Sequence, residues 1–220
     1  MPRRTKEDAQ VTRDRLIDAA ELVFHAKGVS RTSLAEIAEN AGLTRGAIYW
    51  HFKDKADLFN AMMDRATLPL ENAMQLVGVA PDVDPLETLR ITMADTWQRM
   101  LHDAQLRRVF EVAVHQVEYV EELRAVRERH HAVREQCLAD FRRAIEVGAQ
   151  LRGVTLQVPA DLAARGLQSL TWGLIQDWLL DTEAFDLVQM GNASLQIYLN
   201  GLGLGEPVGA TKPASPQEIR

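Results

Sequence analysis

Cysteine is nearly absent from this 220-residue sequence, and so are long apolar runs. The single Cys137 cannot form an intrachain disulfide, which is typical of proteins in reducing compartments. No run approaches the roughly 18 apolar residues of a membrane-spanning helix, and the first ten residues lack the apolar core of a secretory signal. These absences exclude a disulfide-stabilised scaffold, and they predict a cytoplasmic protein without a membrane partner.

Motifs that carry catalysis are also lacking. The sequence has no Gly-rich phosphate loop, no Cys/His metal spacing and no nucleophile–base pair. Glu111, His115 and Glu118 do recur on one helical face, and carboxylate–imidazole sets on facing helices bind metal in ferritin-like bundles. Such a site needs a matching set on a second helix, whereas the adjacent His130 and His131 are expected on solvated faces. No metal, cofactor or catalytic residue is predicted, and an enzymatic or metal-binding bundle stays the alternative hypothesis.

Strand signals are scarce, because sustained alternation and Asn-Gly or Asp-Gly hairpins are missing. The sequence therefore predicts an all-α fold, in which the first helix carries the stripe Leu16, Ala19, Ala20, Val23 and Phe24 and ends before Gly28. Further helices are predicted at 33–41, 45–51, 54–76, 86–103, 105–117, 119–150, 160–181 and 186–202. Three prolines and no apolar periodicity predict a disordered tail over 203–220.

Charge is distributed unevenly along the chain. The net charge is −6, yet residues 1–60 hold ten basic and nine acidic residues, and the remainder holds 15 basic and 22 acidic ones. Arg3, Arg4 and Lys6 begin the chain as a basic arm. This asymmetry points to nucleic acid at one end. The predicted division is a DNA-binding domain over 1–60 and a second domain over 61–202.

The segment SLAEIAENAGLTRGAIYWHF carries the signature of two short helices joined by a turn. Ser33 and Glu36 have the spacing of a capping box, so they predict the start of the first helix. Gly42 ends that helix, and Thr44 is a favourable N-cap for the next. Two helices joined by a short Gly-containing turn predict a helix-turn-helix.

The second short helix has two faces. Ile48 and Phe52 are four residues apart and are expected to pack inward, whereas Arg45 and Tyr49 share another side. A recognition helix places its N-terminal residues against base edges, and arginine pairs with guanine there. The predicted DNA-contacting residues are Ser33, Thr44, Arg45, Gly46, Ala47, Tyr49, Trp50, His51 and Lys55.

These residues have different expected roles. Gly46 and Ala47 are small enough for close approach to a duplex, and Tyr49 and His51 can donate to phosphates. Lys55 and Ser33 lie at helix starts, where free N–H groups favour phosphate. Taken singly, an aromatic residue at such a position is more often part of the core, and a lysine is more often simply solvated. The ordered set indicates DNA binding.

Residues 8–60, with RTSLAEIAENAGLTRGAIYWHFKDKADLF at their centre, resemble the DNA-binding domain of TetR-family transcriptional repressors. TRGAIYWHFKDKADL is most similar to the AcrR/TtgR branch, which represses multidrug efflux-pump operons. The resemblance implies an all-α homodimer on a palindromic operator, released by a small amphipathic or aromatic inducer. It also implies that Thr44, Arg45, Tyr49, His51 and Lys55 occupy family DNA-contact positions.

The segment LAARGLQSLTWGLIQDWLL is apolar on more than one face, as expected for a helix buried on several sides. In TetR-like proteins the last two helices form a four-helix dimer interface, and a helix buried within the monomer is the alternative. The predicted interface residues are Leu167, Leu170, Leu174, Trp178, Leu195, Tyr198, Leu199 and Leu202.

An effector pocket is predicted between the remaining helices, since such pockets are mostly apolar with a few polar groups. Each candidate taken alone could equally belong to the core, and the buried polar residues are the better indicators because they need a partner. The candidates are Leu89, Met93, Thr96, Trp97, Phe110, Val114, His115, Cys137, Phe141, Gln168, Thr171, Trp172, Ile175 and Gln176.

Overall fold

Helices and the loops between them account for all of the described residues, without a strand. The computed structural model describes residues 6–77, 79, 83–118 and 120–205. Its helices are α1 Lys6–Lys27, α2 Leu34–Asn40, α3 Arg45–His51, α4 Lys55–Gln75, α5 Pro85–His102, α6 Ala104–His115, α7 Arg124–Arg152, α8 Ala160–Leu180 and α9 Leu187–Gly201. The all-α prediction is confirmed. Arg3, Arg4 and residues 206–220 of the predicted arm and tail lie outside the described residues.

Local sequence signals set the boundaries of the short helices. The Ser33 hydroxyl accepts from the Glu36 backbone N–H, and the Glu36 carboxylate accepts from the Ser33 N–H, which completes the predicted capping box. Thr44 caps α3, and Asp54 caps α4. Gly42 in the turn has φ +64°, a left-handed conformation that glycine adopts without strain. The helix-turn-helix prediction is confirmed.

Two boundaries differ from the expectation. The helix predicted at 119–150 begins at Arg124, because a 3-10 turn at Glu121–Leu123 precedes it. Disorder was predicted from residue 203 onward, and this was wrong at the start of the segment, since Leu204 is fully buried in the core. The Arg90 guanidinium donates to the Leu204 and Gly205 carbonyl oxygens at 3.3 and 3.0 Å, which holds this segment against α5.

The described residues form two hydrophobic cores. The first joins α1, α2, α3 and the first half of α4 around Phe24, Ile37, Ile48 and Phe52. The second joins α5, α7, α8 and α9 around Trp97 and other large side chains. Helix α4 runs through the predicted domain boundary at 60/61 without a break, so the division at that position remains a prediction.

Helix α6 lies between these two cores. Val109, Val112 and Ala113 belong to the first core, whereas Leu106 and Phe110 belong to the second. These two sets of residues lie on neighbouring sides of one broad apolar face, so α6 can be buried against both cores. The two halves of the chain are therefore packed through α6 as well as through α4.

Candidate nucleic-acid interface and effector site

Helix α3 presents one face to the first core and another to solvent. Ile48 and Phe52 are fully buried, as their four-residue spacing predicts. Arg45 and Tyr49 are exposed on a neighbouring side of the helix, and Trp50 is 71 % exposed. Soluble proteins rarely expose a Trp and a Tyr side by side without a binding role. The geometry matches the predicted recognition helix.

Aromatic contacts order the exposed side chains of α3. The Arg45 guanidinium carbon lies 5.6 Å from the centre of the Tyr49 ring, within the range of a cation–π contact. The His51 and Trp50 rings meet edge to face, with their centres 4.5 Å apart. His51 is only partly exposed, so its ring is less accessible to a phosphate than the rings of Tyr49 and Trp50.

The small residues at the start of α3 leave its surface open. A Cβ built on Gly46 would have the Thr44 hydroxyl at 3.9 Å as its nearest neighbour, and Ala47 is partly exposed. The Thr44 hydroxyl accepts from the Ala47 N–H at 3.3 Å, and the Ser33 hydroxyl is exposed at the start of α2. Both hydroxyls therefore cap helices at the surface where phosphate contacts were predicted.

Lys55 departs from its predicted role. Its side chain is 6 % exposed, and its ammonium donates to the carbonyl oxygens of Ser30 and Thr32, at 3.1 Å each. The Glu122 carboxylate lies 3.3 Å away. The expectation that this ammonium contacts phosphate was wrong for this arrangement, because three oxygens inside the protein satisfy it. Only long-range contacts, which a sequence pattern does not reveal, create this environment.

Two arginines of α1 support the interface, and the sequence reading missed them. Arg13 lies over the Phe52 ring, with its guanidinium carbon 5.0 Å from the ring centre. Arg15 donates to the Ala41 carbonyl at 2.7 Å, next to the turn between α2 and α3. Arg13 and Arg15 are two residues apart, so they make these contacts from different sides of α1. They fix the position of α2 and α3 relative to α1.

The pKa of Glu36 is lowered from 4.5 to about 2. The main cause is the hydrogen bond from the Ser33 backbone N–H, and the Lys27 ammonium, 2.9 Å from the carboxylate, adds to it. Glu36 is therefore ionised over the working pH range, with its charge held at the N-terminus of α2.

An aromatic cluster marks the candidate effector site between α6, α7 and α8. The centre of the Trp172 ring lies 6.4 Å from that of Phe110 and 5.8 Å from that of His130. Trp172 is only partly buried, whereas Phe110 belongs to the second core. His130 was expected on a solvated face, and this prediction was wrong because the ring packs against Trp172.

Polar groups border this cluster. Gln168 donates from its side-chain amide to the Arg134 carbonyl at 2.8 Å. Burial, with the Asp140 charge second, raises the pKa of the Cys137 thiol to about 12. Burial, followed by the charges of Arg129 and Arg134, lowers the pKa of His130. Both shifts favour the neutral forms of these two side chains.

The structure divides the other predicted effector residues into two groups. Leu89, Met93, Trp97, Phe141 and Ile175 are buried in the second core, together with the hydroxyls of Thr96 and Thr171, which donate to carbonyls of their own helices. Val114 and Gln176 are partly exposed. His115, predicted to line the pocket, is exposed at the end of α6, and its role there stays a prediction.

Trp97 has an unusual environment within this core. Its side chain is fully buried, yet its indole N–H has no hydrogen-bond partner among the residues that the structure describes. A Cβ at Gly191 would lie 2.6 Å from the indole nitrogen, so only glycine allows α9 to pack here. A buried donor without a partner is costly, which makes this indole N–H an unusual feature of the described core.

A shallow cavity of about 610 Å³ lies elsewhere, at the corner between α5 and α6. It is lined by Gln98, Arg99, His102, Asp103, Ala104 and Gln105. None of these residues belongs to the predicted effector set. This cavity is therefore distinct from the Trp172 cluster.

The predicted interface residues of α8 and α9 are mostly inside the protomer. Leu167, Trp178, Leu195 and Leu199 are fully buried in the second core, so their assignment to a dimer interface was wrong. The partly buried residues are Leu170, Leu174, Tyr198 and Leu202. The Tyr198 hydroxyl donates to the Ala163 carbonyl at 2.7 Å, which joins α9 to α8, and burial raises its pKa.

Different residues form the exposed apolar face of these two helices. Leu162 and Leu180 of α8 and Met190 and Ile197 of α9 are exposed, with Leu180 and Ile197 more than 70 % so. Leu162 and Leu180 are eighteen residues apart, which is five helical turns, so they share one face. Gly173 lies between them, and a Cβ there would meet nothing within 4 Å. In the sequence, the apolar residues of this exposed face could not be distinguished from those of the buried face.

The described structure does not support the alternative metal site at Glu111, His115 and Glu118. Helix α6 ends at His115, so Glu118 lies beyond the helix, and Glu111 pairs with His25 at 2.7 Å. Within residues 6–77, 79, 83–118 and 120–205, no group of three or more His, Cys, Asp or Glu side chains could hold a metal ion. None of the helices in those ranges has both the length and the apolar composition for crossing a membrane.

Known proteins resemble this chain over most of its length. The regulator TtgR of Pseudomonas putida is 35% identical over 188 residues, which cover 86% of this chain and 90% of TtgR. The crystal structure of NalD, the secondary repressor of the MexAB-OprM multidrug efflux pump in Pseudomonas aeruginosa, has a TM-score of 0.77 at 34% identity and covers 91% of this chain and 98% of its own.

A triclosan complex of SmeT has a TM-score of 0.79 at 29% identity and covers 96% of this chain and 99% of its own. SmeT is the repressor of the Stenotrophomonas maltophilia multidrug efflux pump SmeDEF. Two family descriptions also match: bacterial regulatory proteins of the tetR family over residues 16–62, and the C-terminal region of MAATS-type transcriptional repressors over residues 84–203. The chain therefore belongs to the tetR family of bacterial transcriptional regulators, with a MAATS-type repressor C-terminal region.

Proposed function

We propose that this regulator binds a palindromic operator as a homodimer in the cytoplasm and represses a multidrug efflux-pump operon until a small amphipathic or aromatic inducer releases it. The exposed face of α3 carries this proposal, with Arg45, Tyr49 and Trp50 around a helix N-terminus that is open at Gly46. Efflux control is supported by the repressors NalD and SmeT, whose descriptions name such pumps.

On the operator, α3 enters the major groove with its N-terminus first. Arg45 reads a guanine edge through two hydrogen bonds, and Tyr49 and Trp50 contact the flanking backbone. Thr44 and Ser33 add phosphate contacts from the starts of α3 and α2. Lys55 supports the site from inside by holding the loop between α1 and α2 against the start of α4.

Dimerisation uses the exposed face of α8 and α9. Leu162, Leu180, Met190 and Ile197 expose apolar surface that water disfavours, and burying each large side chain contributes about 1.5–3 kcal/mol. A two-fold axis brings the same face of both protomers together. Gly173 allows the two backbones to approach closely.

The inducer binds between α6, α7 and α8, against Trp172, Phe110 and His130. The partly exposed Trp172 ring provides a stacking surface at the entrance. Gln168 offers a polar group beside it, and the neutral Cys137 keeps the site apolar. Because triclosan is the ligand in the SmeT complex, it is a suitable probe.

Fluorescence anisotropy with the DNA upstream of the protein's own gene tests this function. A scrambled duplex at two salt concentrations separates specific from electrostatic binding. Tight binding to the native fragment alone, and its loss on addition of triclosan, is the expected result. No binding to either duplex at low salt would contradict DNA regulation, whereas binding unaffected by triclosan would contradict only the choice of inducer.

A further inference from the structure

A buried carboxylate lies where the two cores meet. Glu21 of α1 is 2 % exposed. The polar groups described next to its carboxylate belong to other helices. Arg108 of α6 donates to one carboxylate oxygen at 2.8 Å, and Gln105 of α6 donates to the other at 2.8 Å. The Arg65 guanidinium of α4 lies 3.6 Å from the second oxygen.

This arrangement makes the separation of α1 from α6 unfavourable. A buried charge is tolerated only when it is paired and hydrogen-bonded. If α6 moved without α1, the Glu21 carboxylate would lose two donors while Leu16, Ile17 and other apolar residues of its helix kept it in the first core. Glu21 therefore favours states in which the two helices move together.

The same helix α6 reaches the effector site. Phe110, which contacts Trp172, is two residues beyond Arg108, and two residues correspond to about 200° of helix rotation. The two side chains therefore project from nearly opposite sides of α6. A ligand that displaces Phe110 must displace Arg108 as well, because a single helical turn carries both.

Two more contacts continue this line along α1. His25, one turn after Glu21, meets Glu111 of α6 at 2.7 Å. Just beyond the ends of both helices, the Val29 N–H donates to the Gln116 carbonyl at 3.0 Å. The contacts run from the middle of α1 to the loop before α2, so α6 is attached to the DNA-binding domain over three turns.

We propose that Glu21, held by Arg108 and Gln105, is the positioning residue that transmits movement of α6 at the effector site to the DNA-binding domain. This inference rests on the proposed function, since it assumes that a ligand acts at the Trp172 cluster. Glu21 itself contacts neither DNA nor ligand. Its contribution is a coupling free energy between two sites, which is measured as a change in one affinity caused by the other ligand.

The test is a double-mutant cycle with E21Q, R108M and the double variant. Operator affinity is measured by anisotropy with and without triclosan. We expect E21Q to bind the operator within a few-fold of the wild type, and to lose most of an inducer effect that is typically about 5–150-fold. R99M serves as the matched control, because Arg99 is an exposed arginine paired with Asp95 on α5.

The cycle separates coupling from general damage. The double variant should lose no more of the inducer effect than either single one, since both remove the same contact. It should also regain thermal stability relative to R108M, because that single variant leaves the buried Glu21 carboxylate without its Arg108 donor. A full inducer effect in folded E21Q, or additive losses in the double variant, would overturn the proposal.

Hydrogen exchange on the free protein decides the same point without any ligand. In the wild type, amides of α1 and α6 should show similar protection, because they open as one unit. In E21Q we expect the protection of α1 to fall about tenfold or more relative to α6. Unchanged relative protection in E21Q would refute the coupling even if triclosan proves not to be an inducer. If the wild type fails to bind the operator while E21Q shows the expected fall in α1 protection, the proposed function is contradicted and the coupling is not.

Discussion

The Arg45 guanidinium lies over the Tyr49 ring, one turn further along α3, with 5.6 Å between the guanidinium carbon and the ring centre. This contact holds a long, flexible side chain in place before DNA arrives. Ordering an arginine on binding costs about 1–2 kcal/mol of side-chain entropy. The stacked pair therefore lowers the cost of placing Arg45 against a base edge.

Arg45→Ala should weaken operator binding by about 1–3 kcal/mol and relax the preference for guanine at one position in each half-site. The substitution removes both hydrogen bonds to the base edge but leaves the helix intact, because Arg45 is exposed. Anisotropy titrations with operators substituted at single base pairs measure both effects.

The control for Arg45→Ala is Arg99→Ala, which also removes one exposed positive charge but lies on α5. It should leave operator affinity and base preference unchanged. If Arg45→Ala left base discrimination intact, the proposed orientation of α3 in the groove would be wrong.

Lys55→Met should destabilise the fold by about 1–3 kcal/mol, because it leaves the carbonyls of Ser30 and Thr32 without their donor. The exposed Lys53→Met is the matched control and should change the free energy of unfolding by less than about 0.5 kcal/mol. Urea titration of both variants measures the difference. A fall of about one in the salt slope of DNA binding, with unchanged stability, would instead identify Lys55 as a phosphate contact.

Glu36→Gln should reduce the loss of stability in acid. The pKa of Glu36 is depressed from 4.5 to about 2, so its carboxylate contributes stability above the unfolded value and loses that contribution as the pH falls from about 4.5 to about 2. Thermal unfolding at about pH 5 and pH 3 should show a larger decrease for the wild type than for the variant. Glu39→Gln, an exposed change on the same helix, should behave like the wild type.

Ile197→Asp should convert the dimer to a monomer, because it places a charge in the centre of the proposed apolar interface. Leu199→Ala, two residues away, should instead cost about 2–5 kcal/mol of folding free energy, since Leu199 is fully buried within the protomer. Sedimentation equilibrium distinguishes the two variants. A dimer that survives Ile197→Asp would show that another surface joins the subunits.

The sequence predicted the DNA-binding domain well, because the signals that define its helices and turn are local. Ser33, Thr44 and Asp54 cap helices through hydrogen bonds to the residue three positions ahead, so their spacing alone sets where each helix begins. The turn at Gly42 depends on a backbone conformation that glycine favours. The four-residue spacing of Ile48 and Phe52 likewise determined which face of α3 is buried.

The effector and dimer surfaces were harder to predict from the sequence. Helix α8 is apolar on more than one face, so periodicity could not distinguish Leu167, which is buried in the protomer, from Leu180, which is exposed. His115 and His130 exchanged their expected environments, because α6 ends at the first and Trp172 packs over the second. Such outcomes depend on which helices become neighbours.

By itself, the sequence determined the all-α class, the helix-turn-helix and the face of α3 that meets solvent, since helix starts, turns and buried stripes follow from interactions within a few residues. Tertiary structure alone decided that Lys55 is enclosed by backbone carbonyls and that Glu21 joins α1 to α6. In both cases a charged group is paired with residues more than 20 positions away in the chain. Burial and pairing of charges depend on which distant segments pack together, and local spacing does not encode that.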